Sequence, residues 1–190
     1  MKRRDALTAL SALAAGSALV PGAFLSGCQA EGDTVTYRLF TADEIDLLER
    51  MAGVILPATE NSPGADAVGI GTFMDVYVAD CFEAEEQTAL REGLARFGQR
   101  CREEQGTSFQ QLSPEAQRAC LVALDKEADT YQQQLQPGQP SHYFSMVKYL
   151  TVFGYFTSEP GARQALRYVP IPGRYEGVIP YEKGEKAWAI

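Results

Sequence analysis

Histidine is nearly absent from this sequence, and its scarcity limits the chemistry that the chain can perform. His142 is the only histidine in 190 residues. A Ser-His-Asp or Cys-His catalytic site would therefore have to use His142 as its base. It follows Ser141 at the expected start of a helix, where capping or solvation is the ordinary role of a polar side chain. We predict that the chain has no catalytic residue of its own.

Motifs that hold cofactors are missing as well. The sequence contains no Cys-x-x-Cys-His motif for attaching a c-type haem, and no pair of cysteines has the spacing of a zinc site. Val68-Gly69-Ile70-Gly71 lacks the third glycine and the preceding strand of a dinucleotide-binding turn, so we interpret it as a loop. We predict no metal and no cofactor in this chain.

The first 27 residues have the composition of an export signal. A basic head, Met1 to Asp5, precedes a weakly apolar run from Ala6 to Leu25 and a small-residue exit. The pair Arg3-Arg4 before this run resembles a twin-arginine signal, which serves proteins that fold before export. We predict that residues 1–27 are a signal peptide and that the mature protein is periplasmic.

Cys28 is the predicted site of lipid attachment. Leu25-Ser26-Gly27-Cys28 resembles the bacterial lipobox, in which the thiol accepts a diacylglyceryl group and cleavage makes the cysteine the new N-terminus. Two acyl chains give stable anchoring, whereas one chain does not. Residues 28–39 would then be a lipidated N-terminus and linker. One alternative is an uncleaved membrane helix, since the run is about long enough to span a bilayer. The other is that the segment is neither a cleaved lipoprotein signal nor a membrane helix.

The mature chain is acidic. Removing residues 1–27 takes away three basic residues and one acidic residue, so the net charge changes from −8 to −10. An acidic surface disfavours nucleic acid as a partner. The remaining length suits one domain, which we place at residues 40–190.

Three cysteines remain after Cys28, namely Cys81, Cys101 and Cys120. An exported protein can keep disulfides, but an odd number leaves one thiol over after any internal pair. Three buried free thiols, one internal disulfide with a spare thiol, and a bridge to another subunit all stay open.

Apolar residues at helical spacing predict an all-α domain of about five helices. Thr41 and Glu44 form a capping box before the first helix, and Pro57 ends that helix. Ser113-Pro114 marks another helix start, after which Ala116, Ala119, Cys120, Ala123 and Leu124 are the predicted buried face. Ser141 is the predicted cap of the last long helix.

Beyond Ser158 the sequence is rich in proline, glycine and aromatic residues, which predicts an extended C-terminal tail. Such a segment has little regular structure in which to bury aromatic rings, and exposed aromatic rings are typical of interfaces. The candidate partner-contact residues of the last helix and the tail are Tyr155, Phe156, Tyr168, Tyr175, Tyr181 and Trp188. The helix aromatics Tyr149, Phe153, Tyr155 and Phe156 are most simply core residues, and a contact face for another protein is the other option.

Two segments resemble the gluconate 2-dehydrogenase subunit 3 family. The first is Ile55-Leu56-Pro57-Ala58-Thr59-Glu60-Asn61-Ser62-Pro63-Gly64-Ala65, a loop after the first helix. The second is Phe153-Gly154-Tyr155-Phe156-Thr157-Ser158-Glu159-Pro160-Gly161, continuing to Tyr168 and Tyr175-Glu176-Gly177. The resemblance spans roughly Phe40 to Tyr181, which is nearly the whole mature domain.

This resemblance implies a small, non-catalytic subunit of a large FAD-dependent oxidoreductase of the glucose-methanol-choline type, often with a c-type cytochrome subunit. FAD would belong to the large subunit, which would be exported by association with the signal-bearing small one. The lipobox departs from the family pattern because it adds a membrane tether to this chain. The alternative is a stand-alone envelope lipoprotein that binds a ligand or serves as a scaffold.

Overall fold

The computed structural model describes residues 36–171, 173, 175 and 177–189. The predictions for Arg3, Arg4 and Cys28, and for the signal peptide as a whole, lie outside the described residues and stay predictions. Residues 37–190 form one compact unit.

Five α-helices make up most of this unit, which confirms the predicted all-α class. They are α1 (Ala42–Ile55), α2 (Ile70–Cys81), α3 (Ala84–Gln105), α4 (Pro114–Gln134) and α5 (Tyr143–Thr157). Short 3₁₀ helices at Ala65–Ala67 and Phe109–Gln111 lie in the connections. Among the described residues, no helix combines the length and apolar character needed to cross a bilayer.

Local capping determines where several helices begin. The predicted box at α1 is present, because the Glu44 carboxylate accepts the N–H of Thr41 at 2.8 Å while the Thr41 hydroxyl accepts the N–H of Glu44 at 3.3 Å. Ser113 caps α4 as predicted. The prediction for α5 was wrong by one residue: His142, not Ser141, is the N-cap, and its Nδ1 accepts the N–H of Phe144 at 3.3 Å.

Helix α5 is the centre of the fold, since it packs against each of the other four helices. Its sequence carries one charged residue, Lys148, among 15 residues. A helix that is apolar on most sides is expected to be surrounded by other elements. The side chains that fill the core around it include Leu48, Met51, Met74, Val78, Leu90, Leu94, Leu124, Val147 and Leu150.

The buried face of α4 differs from the predicted one. Its buried residues are Gln117, Leu121, Leu124 and Ala128, whereas Ala119 and Ala123 are exposed. Burial of the larger leucine side chains removes more apolar surface from water than burial of alanines. Gln117 is tolerated inside because its amide donates to the carbonyl of Phe109 at 2.9 Å.

The tail after α5 contains more regular structure than the sequence indicated. A π-helical turn, Gly161–Ala165, leads into strand β1 (Arg167–Tyr168), which pairs in parallel with β2 (Trp188–Ala189). The pairing joins residues about twenty positions apart, so no local sequence pattern predicts it. The described residues between the two strands lie in no helix or strand, as predicted for this composition.

Candidate partner-binding surface

The loop between β1 and β2 exposes large apolar side chains to solvent. Tyr175 is 95% exposed, Val178 94%, Ile171 84% and Tyr181 75%. Tyr168 and Trp188, at the two ends of the loop, are 44% and 48% exposed. The structure therefore presents Tyr168, Tyr175, Tyr181 and Trp188 as sequence analysis placed them, on a tail whose rings the domain itself does not bury.

The base of this loop is held by specific contacts. Arg167 lies over the indole of Trp188, with 4.8 Å from its guanidinium carbon to the ring centroid, and forms an ion pair with Glu185 at 2.8 Å. The N–H of Arg167 donates to the carbonyl of Ala187 at 2.8 Å. The two ends of the loop are thus fixed to each other, which limits the ordering cost of binding a partner there.

Helix α5 extends the apolar surface towards this loop. Tyr149, Val152, Phe153 and Phe156 lie at spacings of three and four residues and therefore share one side of α5. Tyr149 is 57% exposed and stacks on Phe153 with 5.8 Å between ring centroids. Phe156 lines a cavity of about 480 Å³ together with Tyr168 and Trp188. We call Tyr149, Val152, Phe156, Tyr168 and Trp188, with the exposed loop side chains, the apolar strip.

Tyr155 does not belong to the apolar strip, and its predicted partner-contact role is wrong. It is 3% exposed, and its hydroxyl donates to the carbonyl of Pro63 at 2.7 Å. This bond fastens the end of α5 to the loop between α1 and α2, so Tyr155 is a core residue. Val152 was missed as a surface residue, and Tyr149 was assigned most simply to the core. Spacing shows which residues share a helix face, but not which face is covered.

The loop that Tyr155 holds is the first of the two segments that carry the family resemblance. Within it, Thr59 and Ser62 form a narrow bridge, with the N–H of Thr59 donating to the carbonyl of Ser62 at 2.9 Å. The N–H of Ala65 donates to the carbonyl of Leu56 at 2.9 Å and closes the loop at its base. The two resembling segments, distant in sequence, therefore meet in space.

The segment before α1 is fastened to α2 by a buried carboxylate. Asp75, 2% exposed, accepts the backbone N–H groups of Arg38 at 2.7 Å and of Leu39 and Phe40 at 2.9 Å each. Burial alone would raise the pKa of Asp75, but these three donors together outweigh it and lower the pKa. We call this arrangement the Asp75 clamp; it holds residues 38–40, directly before α1, against α2.

His142 has a structural environment. Its Nε2 lies 3.7 Å from Glu127, which also pairs with Arg100 at 2.8 Å. Burial lowers the pKa of His142 in spite of the neighbouring Glu127 carboxylate, which favours the neutral ring that caps α5. Among the described residues, no cluster of three or more histidine, cysteine or acidic side chains could hold a metal ion.

The three cysteines are free thiols, and they differ in setting. Cys81, at the end of α2, is exposed, Cys101 on α3 is buried, and Cys120 on α4 is half-buried. The alternatives predicted for disulfide formation among these cysteines stay predictions.

A second concave surface lies among α1, α4 and α5. This cavity of about 600 Å³ has an apolar floor that includes Leu121 and Phe144, and Arg50 and Arg118 lie at its edge. Lys148 in its wall is neutralised by Asp125 at 2.6 Å. The ion pairs among the described residues include neither arginine. The Asp66 carboxylate lines the same cavity.

The chain matches a known protein family over most of its length. The sequence model of the family described as Gluconate 2-dehydrogenase subunit 3 matches residues 42–173. This range contains both resembling segments as far as Gly161 and ends before Tyr175. No curated protein and no solved structure matches the chain.

Proposed function

Because the chain belongs to the gluconate 2-dehydrogenase subunit 3 family, we propose that it is the non-catalytic subunit that binds, stabilises and co-exports a large FAD-dependent oxidoreductase. FAD and the catalytic base would belong to that large subunit, of the glucose-methanol-choline type. Cys28 would tether the complex to a membrane on the periplasmic side. The family resemblance implies that such a complex often includes a c-type cytochrome subunit, but here the lipid would supply membrane attachment without one.

The observation that carries this proposal is the apolar strip. Side chains such as Tyr175 and Val178 gain almost nothing from the domain itself, since 95% and 94% of their surface remains in water. Contiguous exposed apolar surface rimmed by polar residues is typical of protein interfaces. Tyrosine and tryptophan are also the residues that most often dominate binding energy.

The chemistry of the strip favours a protein partner of matching apolar surface. Among its residues on α5, Tyr149, Val152 and Phe156 carry no charge, although the chain as a whole has a net charge of −8. Charged residues are depleted at the centre of protein interfaces because burying an unpaired charge is costly. The acidic remainder of the surface would stay in contact with solvent.

The proposal is tested by replacing Tyr175, Val178 and Tyr181 together with serine in the full chain, co-expressed with the large flavoprotein encoded nearest to it. We expect the affinity between the two proteins to fall roughly 10- to 100-fold. The free energy of unfolding of the small subunit alone should change by less than about 0.5 kcal/mol, because exposed side chains contribute little to it. Affinity purification with FAD absorbance as the readout measures the loss.

Val122→Ser is the matched control, since Val122 is also an exposed apolar residue, at 48%, but lies on α4 outside the strip. It should leave co-purification unchanged. Undiminished recovery of flavoprotein with the triple variant would reject the strip as the interface.

Export of the complex is tested separately through Arg3→Lys/Arg4→Lys. If the twin arginines serve both proteins, this variant should leave the small subunit and the flavoprotein in the cytoplasm, together and still associated. Cell fractionation with FAD-dependent activity in each fraction gives the answer. If the flavoprotein still reaches the periplasm, it does not depend on this chain for export. That result would leave the proposed association of the two proteins untouched.

A ligand-binding lipoprotein is the second candidate, and the cavity among α1, α4 and α5 favours it. Its volume of about 600 Å³ falls within the range of small-molecule sites, and its two unpaired arginines would suit an anionic, partly apolar molecule. The affinity purification discriminates the two functions: recovery of the chain alone, without flavin, would favour this one.

A further inference from the structure

We propose that Cys101 and Cys120 form the internal disulfide of this protein and that Cys81 is the spare thiol. The sequence leaves the pairing open, but the fold separates the three thiols. This inference does not depend on the identity of the partner.

The first argument is position. Cys101 lies in the last turns of α3 and Cys120 in the first half of α4, and both line one cavity of about 320 Å³ between these helices. Cys81 ends α2, is exposed, and does not line this cavity. Two of the three thiols therefore line one cavity, and the third lies outside it.

The second argument is the size of the neighbouring side chains. On α4 the cavity is lined by Ala119, Cys120 and Ala123, which carry at most one heavy atom beyond Cβ, and by Glu127, whose carboxylate pairs with Arg100 on α3. The small side chains leave open space between the two helices, and this space gives the sulfur atoms room to move. A disulfide needs Cβ atoms within about 3.5–4.5 Å, so closure of this space is the movement that oxidation requires.

The burial of the two thiols determines the order of the reaction. Burial and the nearby Cys120 raise the pKa of Cys101 to about 11, so its thiolate is scarce at neutral pH. Cys120 is only half-buried and is the accessible partner. We expect the Cys120 thiolate to attack a disulfide donor first, which breaks the donor's S–S bond and forms a mixed disulfide.

The Cys101 thiolate then attacks the Cys120 sulfur and releases the donor as a thiol. Two electrons and two protons have then passed from the cysteines to the donor, which ends as two thiols. The donor is any accessible disulfide of low molecular weight or an oxidised dithiol protein, as found where exported proteins keep disulfides. The product joins α3 to α4 across the connection that contains Phe109–Gln111.

The experiment treats the folded, reduced full chain with oxidised glutathione, blocks the remaining thiols and maps the tryptic peptides by mass spectrometry. Trypsin places Cys101 in Cys101-Arg102, Cys120 in residues 119–126 and Cys81 in residues 51–91, so each pairing has its own mass. We expect a link between the first two peptides and a blocked, unpaired Cys81. The rate of linking should rise roughly tenfold per pH unit from pH 7 to 9, as the Cys101 thiolate becomes more abundant.

Cys81→Ser is the matched control and should leave the link intact, whereas Cys101→Ser and Cys120→Ser should each remove it. Oxidation should raise the Tm of the full chain by roughly 6–12 °C, as expected for a loop of this length. A glutathione adduct that persists on Cys120 with Cys101 still reduced would overturn the proposal. A link from either residue to Cys81 or Cys28 would overturn it as well.

Discussion

Asp75→Ala is expected to lower the free energy of unfolding by roughly 3–5 kcal/mol at neutral pH, because it leaves three backbone N–H groups without their acceptor. The N–H groups of Arg38, Leu39 and Phe40 all donate to this one carboxylate, and Phe40 is itself 3% exposed. A loss of this size is a large part of the total stability of a small domain, which is about 5–15 kcal/mol. Urea denaturation followed by circular dichroism measures it.

Asp80→Ala is the matched control, since it also removes a carboxylate of α2 that contacts Arg38. The Arg38–Asp80 ion pair, at 2.7 Å, has side chains that are 55% and 56% exposed. Exposed ion pairs contribute about 0–1 kcal/mol, so this variant should be nearly as stable as the original chain. Equal losses for the two variants would contradict the role assigned to the Asp75 clamp.

The effect of Asp75 should also depend on pH. Its pKa is lowered in the folded state, so the carboxylate contributes stability above its ordinary pKa of 3.8, and this contribution is lost as the pH falls below that value. The difference in unfolding free energy between the original chain and Asp75→Asn should therefore shrink from pH 7 to pH 3.

Gly93→Ala is expected to destabilise the domain by roughly 2–3 kcal/mol, although alanine is the better helix former. A Cβ at Gly93 on α3 would lie 2.1 Å from Cγ and 2.5 Å from Cβ of Tyr143, the first residue of α5. These two atoms are close to the backbone of α5, so the ring cannot move away without shifting the helix. Since α5 is the central helix, the whole packing arrangement would have to adjust.

Gly98→Ala, on the same helix α3, provides the control. A Cβ at Gly98 would meet nothing within 4 Å, so this variant should gain the ordinary helix preference of about 0.5–1 kcal/mol. Thermal unfolding of the two variants should therefore shift in opposite directions. A Gly93→Ala protein at least as stable as the original chain would show that α5 can be displaced from α3 at little cost.

Helix starts were the part of the fold that the sequence predicted best. The box of Thr41 and Glu44 and the cap by Ser113 were both predicted and are both present. Each depends on hydrogen bonds between residues three positions apart, so the information is contained within one helical turn. The family resemblance was also recognised from the sequence, because the two segments that carry it are continuous stretches of chain.

Burial was predicted less well, because it depends on which faces meet. Tyr155 and Tyr175 are both tyrosines of the C-terminal region, yet one is 3% exposed and the other 95%. Tyr155 is covered because the loop around Pro63 folds onto it, over ninety residues away in sequence. Contacts between distant residues also explain why the buried face of α4 differs from the predicted one and why the ring of Tyr149 on α5 is exposed.

By itself, the sequence determined the all-α class, the starts of α1 and α4, the family and the aromatic character of the tail, since composition, periodicity and short-range capping decide these features. Only the tertiary structure decided that Asp75 holds three backbone N–H groups, that Cys101 and Cys120 line one cavity, and that Phe156, Tyr168 and Trp188 come together. These relationships join residues about 12 to 37 positions apart. Such contacts form only when helices pack against one another, and their packing depends on the shapes of all the side chains between them.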